Sequence, residues 1–332
     1  MPMPDIAPPE NLCTQVRQAA AYVAGKARSV HICYDKLTDY ARMLALQSTG
    51  PQMTALDQNT LGAAGTVEET AAYVLALDAI NFGSGYFAVA KQKNLGLEYA
   101  DLALSLRRAF DGNILKTPAQ WAVVDARQCH DIFGIPVRSD AALDALMQLF
   151  ASHLNEAGGM LQSRYQGQVL NLLLDCKKSA VRLAETVALW PGFADVTNYD
   201  GLPVPIYKRA QILAADMHLA LGGTGLADFN DLAQLTIFAD NMVPHVLRQD
   251  GILTYAPDLA AAIEAGVEIA PDTAEEVELR AVAIHAAECL VLSAQEQGHN
   301  VSALDLDRII WNRGYTQDYI SKPAHRTMTV WY

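Results

Sequence analysis

Apolar residues recur at spacings of three and four along most of this chain, which is the period of a helix burying one face. The spacing predicts helices over 16–30, 67–80, 95–110, 119–132, 143–154, 170–189, 207–221, 232–247, 259–265, 277–292 and 304–311. Breaks are expected at Gly50-Pro51, Asp111-Gly112, Gly158-Gly159, Trp190-Pro191-Gly192, Gly222-Gly223-Thr224-Gly225 and Asp250-Gly251, because glycine and proline interrupt helices. Thr117 ahead of Pro118 reads as an N-cap with proline at the first helical position. Strand patterns are few. Residues 196–199 and 204–207 flank Asp200-Gly201 as a short hairpin, and 325–332 alternates through Met328, Val330 and Tyr332 as a terminal strand. The expected fold is all-α, with at most a small β-hairpin or terminal strand. It forms one helical domain over 11–332, after a Pro-rich lead-in over 1–10.

With 332 residues and 51% hydrophobic content there is ample material for a large core. Charge narrows the ligand class. Twenty-four Lys and Arg face 37 Asp and Glu, a net charge of −13, whereas a nucleic-acid binder needs a basic face for phosphates. The balance favours a small molecule, with a few local cations for one anionic group. Cys13, Cys33, Cys129, Cys176 and Cys289 have no CxxC spacing, so reduced thiols are expected rather than disulfides or zinc. The Pro-rich, acidic start does not read as a signal peptide, and no apolar run reaches the ~18 residues of a membrane helix. A cytoplasmic protein with no membrane association is expected.

Four stretches hold candidate chemistry. Pro244 has no N–H, so a helix through 232–247 should break or kink near it. Asp240 would then stand beside the free N–H groups of the next helix, either facing a developing positive charge or simply capping that helix. Lys208 and Arg209 fall in the first turn of the helix from 207, where cations oppose the dipole. An anionic ligand would supply a reason, and two ordinary surface cations are the alternative. Asp307 and Trp311 share a face at i, i+4, which suits a flat heteroaromatic base and equally a half-buried Trp on an amphipathic helix. Asn81-Phe82-Gly83-Ser84-Gly85 follows a helical apolar stripe. Its glycines either admit a ligand close to the backbone or make a cap and turn. The histidines form no metal-binding pattern, and no metal or cofactor is expected. The Gly222–Gly225 turn ahead of Asp240 has the look of a helix-hairpin-helix DNA glycosylase.

Taken together, residues 207–216, Phe238-Ala239-Asp240, 244–247, 276–280 and His325-Arg326 with Trp331-Tyr332 resemble the queuosine salvage family in order and spacing. Residues 77–82 and 193–196 add to the match, which spans roughly 65–332. The resemblance implies a helical fold akin to DNA glycosylases, and release of the base queuine from queuosine 5′-monophosphate. It implies that Asp240 is the catalytic carboxylate and that Lys208 supports a phosphate or that carboxylate. It further implies that Pro244, His245, Val246, Asp307, Arg308 and Trp311 line the base pocket. Asn81 and Phe82 join them as substrate contacts, with Phe82 and Trp311 placed to stack on the base. Asp305 competes with Asp307 for reading the base, and the spacing to Trp311 favours Asp307.

Cleaving C1′–N9 builds positive charge on the ribose. Asp240 can stabilise that oxocarbenium-like state or attack it. A 7-deazaguanine has carbon in place of N7, so the leaving base must be stabilised at its edge or protonated elsewhere. Two rivals are a helix-hairpin-helix DNA glycosylase and a non-enzymatic helical nucleotide-binding module.

Overall fold

Caps written into the sequence start many of the helices. Thr66 with Glu69, Thr117 with Gln120, Asp125 with Gln128 and Ser302 with Asp305 each form a reciprocal capping box, which satisfies donors the first turn leaves free. A computed structural model describes residues 11–47, 60–62 and 65–332. The lead-in expected over 1–10 and the break at Gly50-Pro51 lie outside the described residues. The helices run α1 Leu12–Lys26, α2 Leu37–Ala45, α3 Val67–Ala79, α4 Ser84–Gln92, α5 Tyr99–Asp111, α6 Pro118–Trp121, α7 Ala126–Phe133 and α8 Ala141–Tyr165. They continue as α9 Val169–Asp175, α10 Ala180–Ala188, α11 Lys208–Ala220, α12 Met242–Gln249, α13 Pro257–Glu264, α14 Ala274–Glu296, α15 Ala303–Gly314 and α16 Gln317–Ile320.

The core is built around α3 and α14. Every residue of α3 from Thr70 to Ala79 is buried, as is α14 from Glu276 to Ile284, the signature of helices enclosed on all sides. α11 packs on α3 and α10, α1 and α2 lie along α14, and α12 lies between α14 and α15. No single helix among the described residues is long and apolar enough to cross a membrane. The five cysteines are free thiols. Burial pushes Cys13, Cys129 and Cys176 up to about 12, where they are unreactive.

Several expected elements differ, each for a local reason. The helix over 170–189 is two, α9 and α10, because Lys177 and Lys178 take positive φ and Ser179 caps the restart. The helix over 119–132 divides into α6 and α7 at a second capping box. Gly158-Gly159 does not break α8. A side chain at Gly158 would meet the Pro118 carbonyl and the Ala122 backbone, so this glycine lets α6 press against the long helix.

The largest departure falls on 232–247. A short 3-10 turn at Leu232–Gln234 gives way to non-helical chain, and α12 begins only at Met242. The apolar period there is real, since Leu235, Ile237, Phe238 and Ala239 are all buried. Tertiary bonds take the place of helical ones. Gln211 Oε1 accepts the Thr236 N–H at 2.9 Å, Asp307 Oδ1 accepts the Phe238 N–H at 2.8 Å, and Arg280 Nε donates to the Ala239 carbonyl at 3.1 Å. Pro244 therefore sits in the first turn of α12, where its missing N–H costs nothing, and no kink is needed.

The hairpin is present as β2 Val196–Tyr199 and β3 Leu202–Pro205, antiparallel and joined by Asp200-Gly201. A second pair joins β1 Val30–Ile32 to β4 Leu253–Tyr255. At three residues each, these strands are too short to show a period. Residues 325–332 form no strand. They thread as irregular chain into the core, where the Gly83 N–H donates to the Tyr332 carbonyl at 3.0 Å and the Ile269 N–H to the Arg326 carbonyl at 2.9 Å. A Cβ at Gly85 would fall on the Thr327 carbonyl. The glycines after Phe82 thus seat this tail. Gly85→Ala should lower stability by about 1–3 kcal/mol, the usual cost of overpacking. Denaturant titration will measure it, and an unchanged midpoint would remove the seating role.

Candidate active site

Four separate segments converge on one cleft of about 1030 Å³, counting the space at its open mouth. Asn81 and Phe82 arrive from the end of α3, Lys208 from the start of α11, and Asp240 from the non-helical run before α12. Asp307, Arg308 and Trp311 arrive from α15.

Asp240 caps a helix start and also lines the cleft. Its Oδ1 accepts the Met242 and Val243 N–H groups at 2.7 and 3.2 Å, capping α12. The residue lines the cleft, and with both bonds on one oxygen, Oδ2 remains for what enters. An anion is favoured at that helix start by the same free N–H groups.

Asp307 is 8% exposed, and its Oδ1 accepts the Phe238 N–H at 2.8 Å. Burial pushes its carboxyl up to about 8, and the Asp240 charge pushes in the same direction. The Phe238 N–H, Lys208 and Arg308 oppose the shift. At neutral pH this group therefore holds its proton more often than not. Asp305 is spent elsewhere, accepting the Ser302 hydroxyl at 2.7 Å and N–H at 2.9 Å in the capping box.

The raised value has a consequence for stability. An unfolded Asp307 titrates near 3.8 and the folded one near 8, so the folded state binds the extra proton between those values. This contribution is full at acid pH and is lost as pH rises towards 8. Asp307→Asn should flatten the decline in Tm of the ligand-free protein from about pH 5 to about pH 8. Parallel slopes for the two proteins would contradict the shift.

Lys208 is 4% exposed, with Nζ 3.4 Å from the Asn81 carbonyl. Burial pulls its pKa down, while the charges of Asp240, Asp78 and Asp307 hold it up. Arg209, its neighbour, turns the other way. Arg209 donates to the Ala79 carbonyl at 2.6 Å and to the Gly192 carbonyl, with its guanidinium over the Phe82 and Phe193 rings. The two first-turn cations thus divide, one to the cleft and one to the core. Phe82 lines the cleft but carries Arg209 against its ring. Trp311 also lines the cleft, edge-on to Tyr99 at 6.0 Å and tilted against Tyr315 at 4.6 Å.

Pro244, His245 and Val246 are not brought to the cleft. They are buried on α12, with His245 Nε2 3.0 Å from the Tyr319 carbonyl and the Pro244 carbonyl accepting the Tyr255 hydroxyl at 3.0 Å. Because α12 starts at Met242, Asp240 and Asn241 face the opening instead. Sequence reasoning missed Asn241, Tyr99, Asn312, Tyr315 and Tyr332, all of which line it. Tyr315 had a readable signal, since Asp307, Trp311 and Tyr315 recur every four residues on one helix face. Tyr332 stands out only within the family-like ending Trp331-Tyr332, with no local sign that the threading of the tail brings it to the cleft.

With this geometry in place, comparisons with known proteins give one answer. A family model described as queuosine salvage protein matches residues 62–332. A queuosine 5′-phosphate N-glycosylase/hydrolase of Sphaerobacter thermophilus is 33% identical over 314 residues, 93% of this chain and 95% of the relative. The proteins of that name from Dictyostelium discoideum and Mus musculus are 32% and 29% identical. The first alignment covers 80% of this chain and 79% of the relative, the second 95% and 98%. Two-thirds or more of both chains is shared in each case, so this chain belongs to the queuosine salvage protein family.

Proposed function

We propose that this protein hydrolyses the N-glycosidic bond of queuosine 5′-monophosphate, releasing queuine and ribose 5-phosphate. The relatives carry that activity in their names. The observation that carries the reading here is a pair of aspartates in one cleft held in unlike environments. Asp240 takes two backbone N–H groups at a helix start, whereas Asp307 is buried and pushed up to about 8. Unlike environments of this kind assign one carboxyl to work as an anion and the other as an acid.

Asp240 faces C1′ and stabilises the positive charge that grows on the ribose as the C1′–N9 bond breaks. The bonding pair leaves with the base. Asp307 donates its proton to the edge of that base, since carbon at position 7 removes the usual protonation site. Water supplies hydroxide to C1′, and its remaining proton restores the acid. Trp311 offers its ring to the flat base. Arg308 and Lys208 bring positive charge to an otherwise acidic protein, matching a single 5′-phosphate.

The DNA glycosylase reading loses its structural basis. The Gly222–Gly225 turn opens into a 3-10 turn at Gly225–Ala227, and the segment beyond lacks the second helix of a hairpin motif. To test the proposal, purified protein is incubated with queuosine 5′-monophosphate and the products are read by mass spectrometry. Free queuine and ribose 5-phosphate in equal amounts are expected, and an intact substrate would sink the reading.

A further inference from the structure

Behind the cleft lies a buried ion pair that none of this chemistry uses. Arg280 on α14 is 0% exposed and Asp195, just before β2, is 1% exposed. The guanidinium forks onto the carboxylate, with bonds of 3.0 Å to Oδ1 and 2.7 Å to Oδ2. A buried pair of this kind rarely stabilises a fold more than apolar residues would, so its placement calls for a geometric reason.

Each partner holds one of the segments that bear the cleft's charged groups. Asp195 Oδ2 accepts the backbone N–H of Lys208 at 3.1 Å, at the first residue of α11. The Asp195 carbonyl accepts the Ile206 and Tyr207 N–H groups at 3.0 and 3.2 Å. This grip fixes the chain at Tyr207, which takes a left-handed φ of 52° immediately before the helix. On the other side, Arg280 Nε donates to the Ala239 carbonyl at 3.1 Å, the oxygen of the peptide group that leads into Asp240. The Tyr332 ring covers the guanidinium, 4.7 Å from centroid to carbon. One planar fork therefore serves two carboxylate oxygens and one carbonyl together. Lysine carries the same charge but cannot reproduce that pattern.

We propose that Arg280 and Asp195 are positioning residues for the hydrolysis, setting where Lys208 and Asp240 stand relative to each other while neither lines the cleft. The proposal rests on the roles given above to Asp240 and Lys208.

The test uses the full chain with Arg280→Lys, Asp195→Asn and the double variant, each assayed for queuine release alongside its thermal melt. The singles should keep a cooperative melt. Their kcat should fall by ~30-fold or more, since a misplacement of about 1 Å can cost 10²-fold. KM should rise by a smaller factor than kcat falls, because a displaced Lys208 loosens only one of the substrate contacts while Arg308 and Trp311 keep theirs. The double should fall no further than the worse single, because both changes cut one brace. A folded Arg280→Lys protein with kcat within about threefold of wild type, whatever its Tm, would make the pair structural only and overturn the proposal. If Arg280→Lys does not fold, Asp195→Asn decides by the same criterion, since it keeps the size and an acceptor for the Lys208 N–H. Wild-type protein that releases no queuine would instead refute the assignment of function.

Discussion

An Asp240→Asn protein should lose about 10²-fold or more in queuine release, the usual loss when a charge-stabilising group is removed, and still melt close to the wild-type temperature. Asparagine keeps the shape of the side chain and an oxygen to accept the Met242 and Val243 N–H bonds. It also ranks with aspartate as a helix cap. The substitution therefore removes the negative charge and little else. Asp240→Ala removes both functions and should cost about 1 kcal/mol of stability in addition. Comparing the two by turnover and thermal melting separates capping from chemistry. An Asn variant keeping more than about a hundredth of wild-type turnover would show that the charge is not what drives cleavage.

The second large effect belongs to Asp307. Asp307→Asn should cost roughly 10²–10⁴-fold on queuosine 5′-monophosphate, the range for a positioned acid. The loss should depend on the leaving group. With 7-methylguanosine 5′-monophosphate, whose cationic base needs no proton to depart, the ratio of wild type to variant should shrink to about tenfold or less. Wild-type turnover should also fall as pH rises through about 8, because deprotonation removes the acid. An equal loss on both substrates would mean that Asp307 binds the base without protonating it.

Much of this site was legible in the sequence, because its residues leave local traces. Lys208 betrays itself by opposing a helix dipole, and Asp307 with Trp311 by sharing a helix face. Asp240 stands out through the proline four residues on. What the sequence hid depends on distant partners. The run from 235 to 241 carries a helical period yet is not helical, because Gln211, Asp307 and Arg280 supply its hydrogen bonds from other elements. The place of Pro244, His245 and Val246 in the pocket is implied by the family resemblance alone, and no local pattern bears on it. With the helix starting at Met242 all three are buried on it, and Asp240 and Asn241 line the cleft instead. The tail was misread for a related reason. Its alternating Met328, Val330 and Tyr332 match a strand, but no neighbouring strand edge pairs with it among the described residues.

The rival of a non-enzymatic binding module shares the helical fold and the cleft. It does not account for a buried acid and a helix-capping carboxylate lining that one cleft, nor for a lysine buried among three aspartates. The central claim is selective cleavage, and one competition assay tests it most directly. Equal amounts of queuosine 5′-monophosphate and guanosine 5′-monophosphate are incubated with the wild-type protein, and the free bases are quantified together by mass spectrometry. The account predicts queuine accumulating with no guanine above the enzyme-free control. Guanine released as fast as queuine, or neither base released, would contradict it.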